Sequence, residues 1–207
     1  MAGETKSERT ARRIAGVAAE LFLHQGFETA TVAQVAEAAE VATGTVLLHF
    51  GSKAQLATAA FAQQIRHVGS KAGETVPEAP IDVQLVHVVR SLYSWYETHA
   101  AVATILLKEA LFSTGPWADH YNQTVQQTVQ LFGTLVKNHQ EQGTLASDID
   151  PELAAEGILA DYLLVLLQGL RGLQHSVDEQ CEHFRDLTGQ RLRLARIGDS
   201  RMNSKIF

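Results

Sequence analysis

The chain has 207 residues, 45% of them hydrophobic and 19% charged, with a formal net charge of -6. Such a composition can bury a sizeable core and excludes a disordered chain, and the acidic balance excludes general nucleic-acid affinity through bulk charge. One cysteine, Cys181, allows no internal disulfide and fits a reducing cytoplasm, and the polar start MAGETKSERTARR lacks the apolar centre of a secretory signal.

The first predicted helix runs from about Ser7 to Gln25, with Ile14, Val17, Ala18, Leu21 and Phe22 on one stripe and Gly26 as its left-handed cap. The next stretch, TVAQVAEAAEVATGTVLLHFGSK from Thr31 to Lys53, reads as two short helices joined by a tight turn. Val32, Val35, Ala36 and Ala39 recur at helical spacing, and Thr31 with Gln34 has the spacing of a capping box. The second short helix spans about Thr43 to His49, with Phe50 as the plug between the pair. This is the pattern of a helix-turn-helix, whose second helix enters a DNA major groove. Ser52 then caps a fourth helix carrying Leu56, Ala60, Phe61, Ile65 and Val68.

Local charge does not make this part basic. Up to Phe61 it holds five bases (Lys6, Arg9, Arg12, Arg13, Lys53) against six acids. Any DNA contact therefore rests on where the charges sit, four bases lying near the N-terminus and Lys53 at a helix start.

The stretch from Gly69 to Pro80 breaks the composition and is the best boundary. Predicted helices follow at about Ile81–His99, Ala101–Phe112, Pro116–Gln142, Pro151–His175 and Val177–Ile197, with the tail GDSRMNSKIF outside the last. The helix after Pro151 is apolar nearly all round, so it is buried on more than one side. Glu156, Asp161, Gln168 and Arg171 interrupt it, which argues against a membrane span. The expected fold is all-α.

Arg13-Ile14, Ala18 to Phe22, Gly26-Phe27, Thr29 to Val32, Val35-Ala36, Val41, Gly44-Thr45, His49-Phe50, Ser52-Lys53 and Leu56 together resemble the N-terminal signature of the TetR/AcrR family of bacterial transcriptional regulators. The loop GTLASDIDPELAA is similar to the segment that leads into that family's dimer-forming helix. The resemblance implies a three-helix DNA-binding domain over 1–52, a connecting helix over 53–70, and a helical ligand-binding and dimerisation domain over 71–207. It also implies a homodimer in the cytoplasm, a palindromic double-stranded DNA operator and a small-molecule effector. Three residues depart from the family pattern. Glu40 replaces a turn glycine, Ala42 replaces a capping serine at a loss of about 1 kcal/mol, and Leu47 replaces a tyrosine whose hydroxyl meets phosphate.

The candidate DNA-binding residues are Thr31, Thr43, Gly44, Thr45, Leu48, His49 and Lys53. Thr43, Thr45 and His49 are expected to face the groove, with Thr31 and Lys53 on phosphates. Gly44 either permits close helix packing or lets the backbone approach DNA. Trp95, His99, Phe112, Trp117, Tyr121, Tyr162 and Leu166 either fill a core or wall a shared apolar pocket for a small apolar or aromatic effector. Leu166, Leu170, Leu173, Phe184 and Leu187 are expected at the dimer interface.

No catalytic residues, metal site, cofactor or membrane contact is expected. His175, Cys181 and His183 lack a tetrahedral ligand set, and no nucleophile-elbow, phosphate-loop or dinucleotide-binding string occurs. The residues support a ligand-responsive DNA-binding repressor. The competing reading is a helical dimer that binds small molecules or protein and has lost operator binding.

Overall fold

A computed structural model describes residues 5–112, 116–174 and 176–202, excepting the side chains of 101, 106, 109, 110, 116–118, 120, 121 and 193–202. Among these residues there are nine helices and no strand: α1 (Lys6–Gln25), α2 (Val32–Ala38), α3 (Thr43–Phe50), α4 (Lys53–Glu74), α5 (Ile81–Thr98), α6 (Ala100–Phe112), α7 (Pro116–Glu141), α8 (Pro151–Leu170) and α9 (Val177–Met202).

Two compact units form. The first joins the chain up to His67 with His99–Thr124; the second joins Val68–Thr98 with the chain from Val125 on. These limits do not coincide with the expected domain boundaries at 52/53 and 70/71, which concern function rather than compactness. The chain changes unit inside α4 and α7, two continuous helices, where no break in composition can mark the passage.

In the first unit, α1 starts at a capping box that the sequence reading did not single out. Thr5 Oγ1 accepts from the Glu8 amide at 3.2 Å, and Glu8 Oε2 accepts from the Thr5 amide at 2.7 Å. That backbone hydrogen bond holds the Glu8 carboxyl below its usual range. Gly26 ends α1 at φ +83°, as expected. The core gathers Ile14, Ala18 and Phe22 of α1, Val35 of α2, Val46 and Phe50 of α3, and Leu56 and Phe61 of α4. Phe22 lies 6.5 Å from Phe61, centroid to centroid, and 5.5 Å from Phe27. The Ser52 hydroxyl accepts from the Gln55 amide at 3.2 Å, which starts α4 where the sequence placed its cap.

In the second unit, α8 packs on α9 and α5. Its core includes Leu85, Val89, Tyr93, Phe132, Val136, Ile158, Tyr162, Val165 and Phe184. Tyr93 stacks on Tyr162 at 5.5 Å and donates its hydroxyl to the Tyr162 carbonyl at 3.2 Å. Burial pushes the Tyr93 phenol up, with Cys181 and Asp161 adding to it. Arg191 of α9 grips the buried Asp161 of α8 through Nε at 2.9 Å and Nη2 at 2.7 Å. The guanidinium lies over Gly157, where a Cβ would come within 2.7 Å of Nη1. Backbone amides and a ring also bind the end of α7: His139 meets Thr144 Oγ1 at 2.7 Å and Gln84 Oε1 at 3.1 Å.

Two helix limits differ from expectation. α8 ends at Leu170 rather than His175, because Arg171 caps it and Gly172 turns the chain at φ +69°. α9 continues through Ile197 to Met202, taking in part of the segment read as a tail. By length and composition alone α8 could cross a membrane, contrary to the expectation from its interrupting polar residues. Its buried residues and the Asp161–Arg191 pair make it a core helix of the second unit.

Candidate nucleic-acid interface

The site is built on α2, the turn after it, and α3. Thr31 caps α2, accepting from the Gln34 amide at 3.2 Å, while Gln34 Oε1 accepts from the Thr31 amide at 2.8 Å. The Thr31 hydroxyl donates to Gln34 Oε1 at 3.0 Å. Its proton is thus engaged within the cap.

The turn is Ala39 to Ala42. The Val41 amide reaches back to the Ala36 carbonyl at 2.9 Å, and the Arg13 guanidinium donates to the Ala39 carbonyl. Arg13 therefore secures the end of α2. Glu40 occupies the turn at φ +51°, in the left-handed region that favours glycine. Ala42 is the N-cap of α3 and makes no side-chain capping bond, as the sequence indicated.

Val46 and Phe50 anchor α3 in the core, 1% exposed each. At ~100° per residue, Leu48 projects almost directly opposite their midpoint, and it is 84% exposed. Gly44 is exposed on the same side, Thr43 is exposed at the start of the helix, Leu47 is 45% exposed, and Thr45 and His49 are half-buried. His49 leans toward the core side, its ring 6.1 Å from that of Phe50. A Cβ built on Gly44 would meet nothing within 4 Å, so packing within the chain does not require that glycine.

Lys53 is drawn inward. Its ammonium donates to the Glu28 carbonyl at 3.1 Å and lies 4.6 Å from the centre of the Phe27 ring. An ammonium carries three donors, so this still leaves donors for a phosphate. The two bases nearest the helix-turn-helix, Arg13 and Lys53, thus hold the scaffold as well as supplying charge.

The residues expected to wall an effector pocket divide between the two units. Trp95, Tyr162 and Leu166 belong to the second unit, His99 and Phe112 to the first. Tyr162 is stacked on Tyr93 and Leu166 is 1% exposed, so both are core side chains. Phe112 is 82% exposed. Trp95 is half-buried, edge-on to Tyr96 at 5.3 Å. The side chains of Trp117 and Tyr121 lie outside the described residues. A cavity of about 710 Å³ does occur in the second unit, between the starts of α5, the end of α7 and the middle of α9. Asp82, His139, Gln142, Thr144, Arg185 and Gln190 are among its lining, and none of the expected wall residues is.

The interface residues also sort differently. Leu166 and Phe184 are buried inside the chain and cannot meet a second copy. Leu170 and Leu187 are half-buried and Leu173 is exposed. Sequence reasoning missed Leu153, Leu164 and Leu167, which α8 exposes on the side away from its core. Their helical spacing was visible, but in a helix apolar all round it did not say which side faces inward. His175 of the discounted metal cluster lies outside the described residues, and His183 is engaged by Gln174 at 2.5 Å.

A short helix held across another by a tight turn, on a three-helix core, defines a helix-turn-helix DNA-binding domain. Residues 14–60 match the family model for bacterial regulatory proteins of the tetR family. The A-factor receptor protein of Streptomyces griseus is 26% identical over 193 residues, 89% of this chain and 65% of its own length. The HTH-type transcriptional regulator TcmR of Streptomyces glaucescens is 46% identical over 54 residues, 26% of this chain and 24% of its own. The chain thus spans less than two thirds of the curated relatives it matches. Thermus thermophilus FadR, a TetR-family repressor solved with lauroyl-CoA, shares the fold at TM-score 0.67 and 22% identity, over 86% of this chain and 92% of that one. Bacillus subtilis FadR, solved with stearoyl-CoA, does so at TM-score 0.63 and 18% identity, over 85% and 96%.

Proposed function

We propose that the protein is a homodimeric, cytoplasmic transcriptional repressor that binds a palindromic DNA operator and is released by an apolar small molecule. The observation that carries this is α3, a helix anchored by Val46 and Phe50 that turns Thr43, Gly44 and Leu48 outward, with Thr45 half-buried among them. In this reading Thr43 and Thr45 offer hydroxyls to base edges or phosphate, Gly44 lets the backbone approach, and Lys53 meets phosphate with its remaining donors. Thr31 contributes by placing the start of α2, and His49 borders the groove from its half-buried position.

A second copy is proposed to dock on the exposed side of α8, through Leu153, Leu164 and Leu167, with Leu173 beyond it. The two recognition helices of such a dimer must sit about 34–36 Å apart, one turn of DNA. An effector that binds better to a wider or tilted arrangement lowers operator affinity by that difference alone. The acyl-CoA complexes of the two FadR proteins support an effector with an apolar body. Within the helical domain Trp95 retains exposed surface to offer it.

The test is selection of binding sites from random duplex DNA by purified protein at low salt. A recovered palindrome supports the proposal. Failure to enrich any palindrome, with a dimer confirmed by light scattering, would favour the reading of a dimer that has lost its operator.

A further inference from the structure

Resting on the DNA-binding reading above, we propose that α3 reads its half-site through thymine methyl groups, with Leu48 as the specificity-determining side chain. Thr43 to Phe50 contains no Arg, Lys, Asn, Gln, Asp or Glu. The helix therefore cannot make the bidentate hydrogen bonds by which guanine or adenine is usually specified. What it presents instead is apolar: Leu48 is 84% exposed and Leu47 is 45% exposed beside it.

Three features place Leu48 at the centre of the docking face. It points opposite Val46 and Phe50, the two residues that fix the helix to the core. Gly44 lies one turn before it on the same side of the helix, so the surface beside Leu48 is bare backbone. Gly44 has no neighbour of its own within 4 Å. Gly44 lies in the first turn of α3, and nothing inside the chain requires a glycine there, whereas a flat surface brought close to the backbone would. In the major groove the apolar feature that distinguishes one base pair from another is the C5-methyl of thymine. An isobutyl side chain beside a bare helix segment fits that methyl and offers no hydrogen bond to guanine, cytosine or adenine. Thr45, with a methyl and a hydroxyl, lies about 60° round the helix from it.

The experiment starts from the selected palindrome. Each thymine of the half-site is replaced in turn, symmetrically, by deoxyuridine, which removes only the methyl. Affinity is read by fluorescence anisotropy at fixed salt for the wild type, Leu48→Ala and Leu47→Ala. Loss of one buried methyl contact predicts about fourfold weaker binding per half-site, or about fifteenfold for the symmetric pair. For the thymine that Leu48 covers, that loss should vanish in Leu48→Ala, whose exposed position leaves the fold intact. A palindrome bound equally well with every thymine demethylated would overturn methyl readout while leaving the operator reading standing. So would a deoxyuridine effect that persists undiminished in both leucine variants. If no palindrome is selected at all, the operator reading fails first, and the methyl readout with it.

Discussion

Glu40 sits in the turn at φ +51°, and replacing it tests whether that turn is strained. A side chain with a Cβ in the left-handed region is disfavoured by about 1–2 kcal/mol relative to the right-handed one, a penalty glycine escapes. Glycine also frees the unfolded chain, which opposes the gain by about 0.5–1 kcal/mol. Glu40→Gly should therefore stabilise the fold by about 0.5–1 kcal/mol net, a rise of about 1–4 °C in Tm for a chain of this size. Glu40→Ala is the control, since it removes the same charge and keeps the Cβ. The assay is thermal unfolding of the three proteins side by side, followed by circular dichroism. Electrostatic effects of losing the carboxylate are common to both variants, so the difference between them isolates backbone strain. Equal midpoints for Glu40→Gly and Glu40→Ala would refute the strain. Both variants should bind DNA more tightly than the parent at low salt, by the same factor, with the gain fading as salt screens the exposed carboxylate.

Four further outcomes are expected. Ala42→Ser should supply the missing N-cap of α3 and stabilise the protein by about 1 kcal/mol in urea unfolding; no gain would mean that a serine there does not reach the α3 amides. Gly44→Ala should stabilise the fold by about 0.5–1 kcal/mol while weakening operator binding, and a variant gaining in both would contradict close backbone approach. The buried Tyr93 phenol ionises above its ordinary value of 10.0, so the stability it contributes is complete below pH 10 and is lost as pH rises beyond it. Tyr93→Phe should flatten the fall in urea midpoint above pH 10, and an unchanged slope would assign that fall to other groups. Leu164→Glu combined with Leu167→Glu should give a folded monomer by light scattering, whereas a persisting dimer would exclude that side of α8.

The helices were legible because their punctuation is local. Thr31 with Gln34, Ser52, and Pro151 after Asp150 all act within four residues, and each starts its helix where the sequence put it. The recognition helix was legible for the same reason, as was its missing cap at Ala42. What could not be read depended on contacts distant in sequence. Lys53 looked free for phosphate, yet its ammonium bonds the Glu28 carbonyl, 25 residues away. Arg13 looked like one more N-terminal charge, yet it secures the end of α2, 26 residues on. The same holds for the proposed effector wall, because clustering of aromatics along a sequence says nothing of which unit each joins.

The sharpest case is α8. A helix apolar on every side has no preferred face, so its leucines carry no indication of direction. Leu166 and Leu167 are neighbours in sequence, yet one is 1% exposed and the other 41%. The residues able to set the phase were the carboxylates Glu156, which is exposed, and Asp161, which is buried, since a carboxylate in such a helix must find a partner or reach water. The partner of Asp161, Arg191, is 30 residues away on α9. Once that pair is known, Ala154, Ile158 and Val165 follow inward at helical spacing, and Leu153, Leu164 and Leu167 are left outward. Burial on more than one side, expected for an apolar helix, is then met by the chain on one side and in the proposed dimer by a second copy on the other. The same pair fixes how α9 lies on α8, because the Arg191 guanidinium occupies the space that a Cβ at Gly157 would need. The orientation of α8's outward leucines is thus set by an ion pair rather than by its apolar pattern.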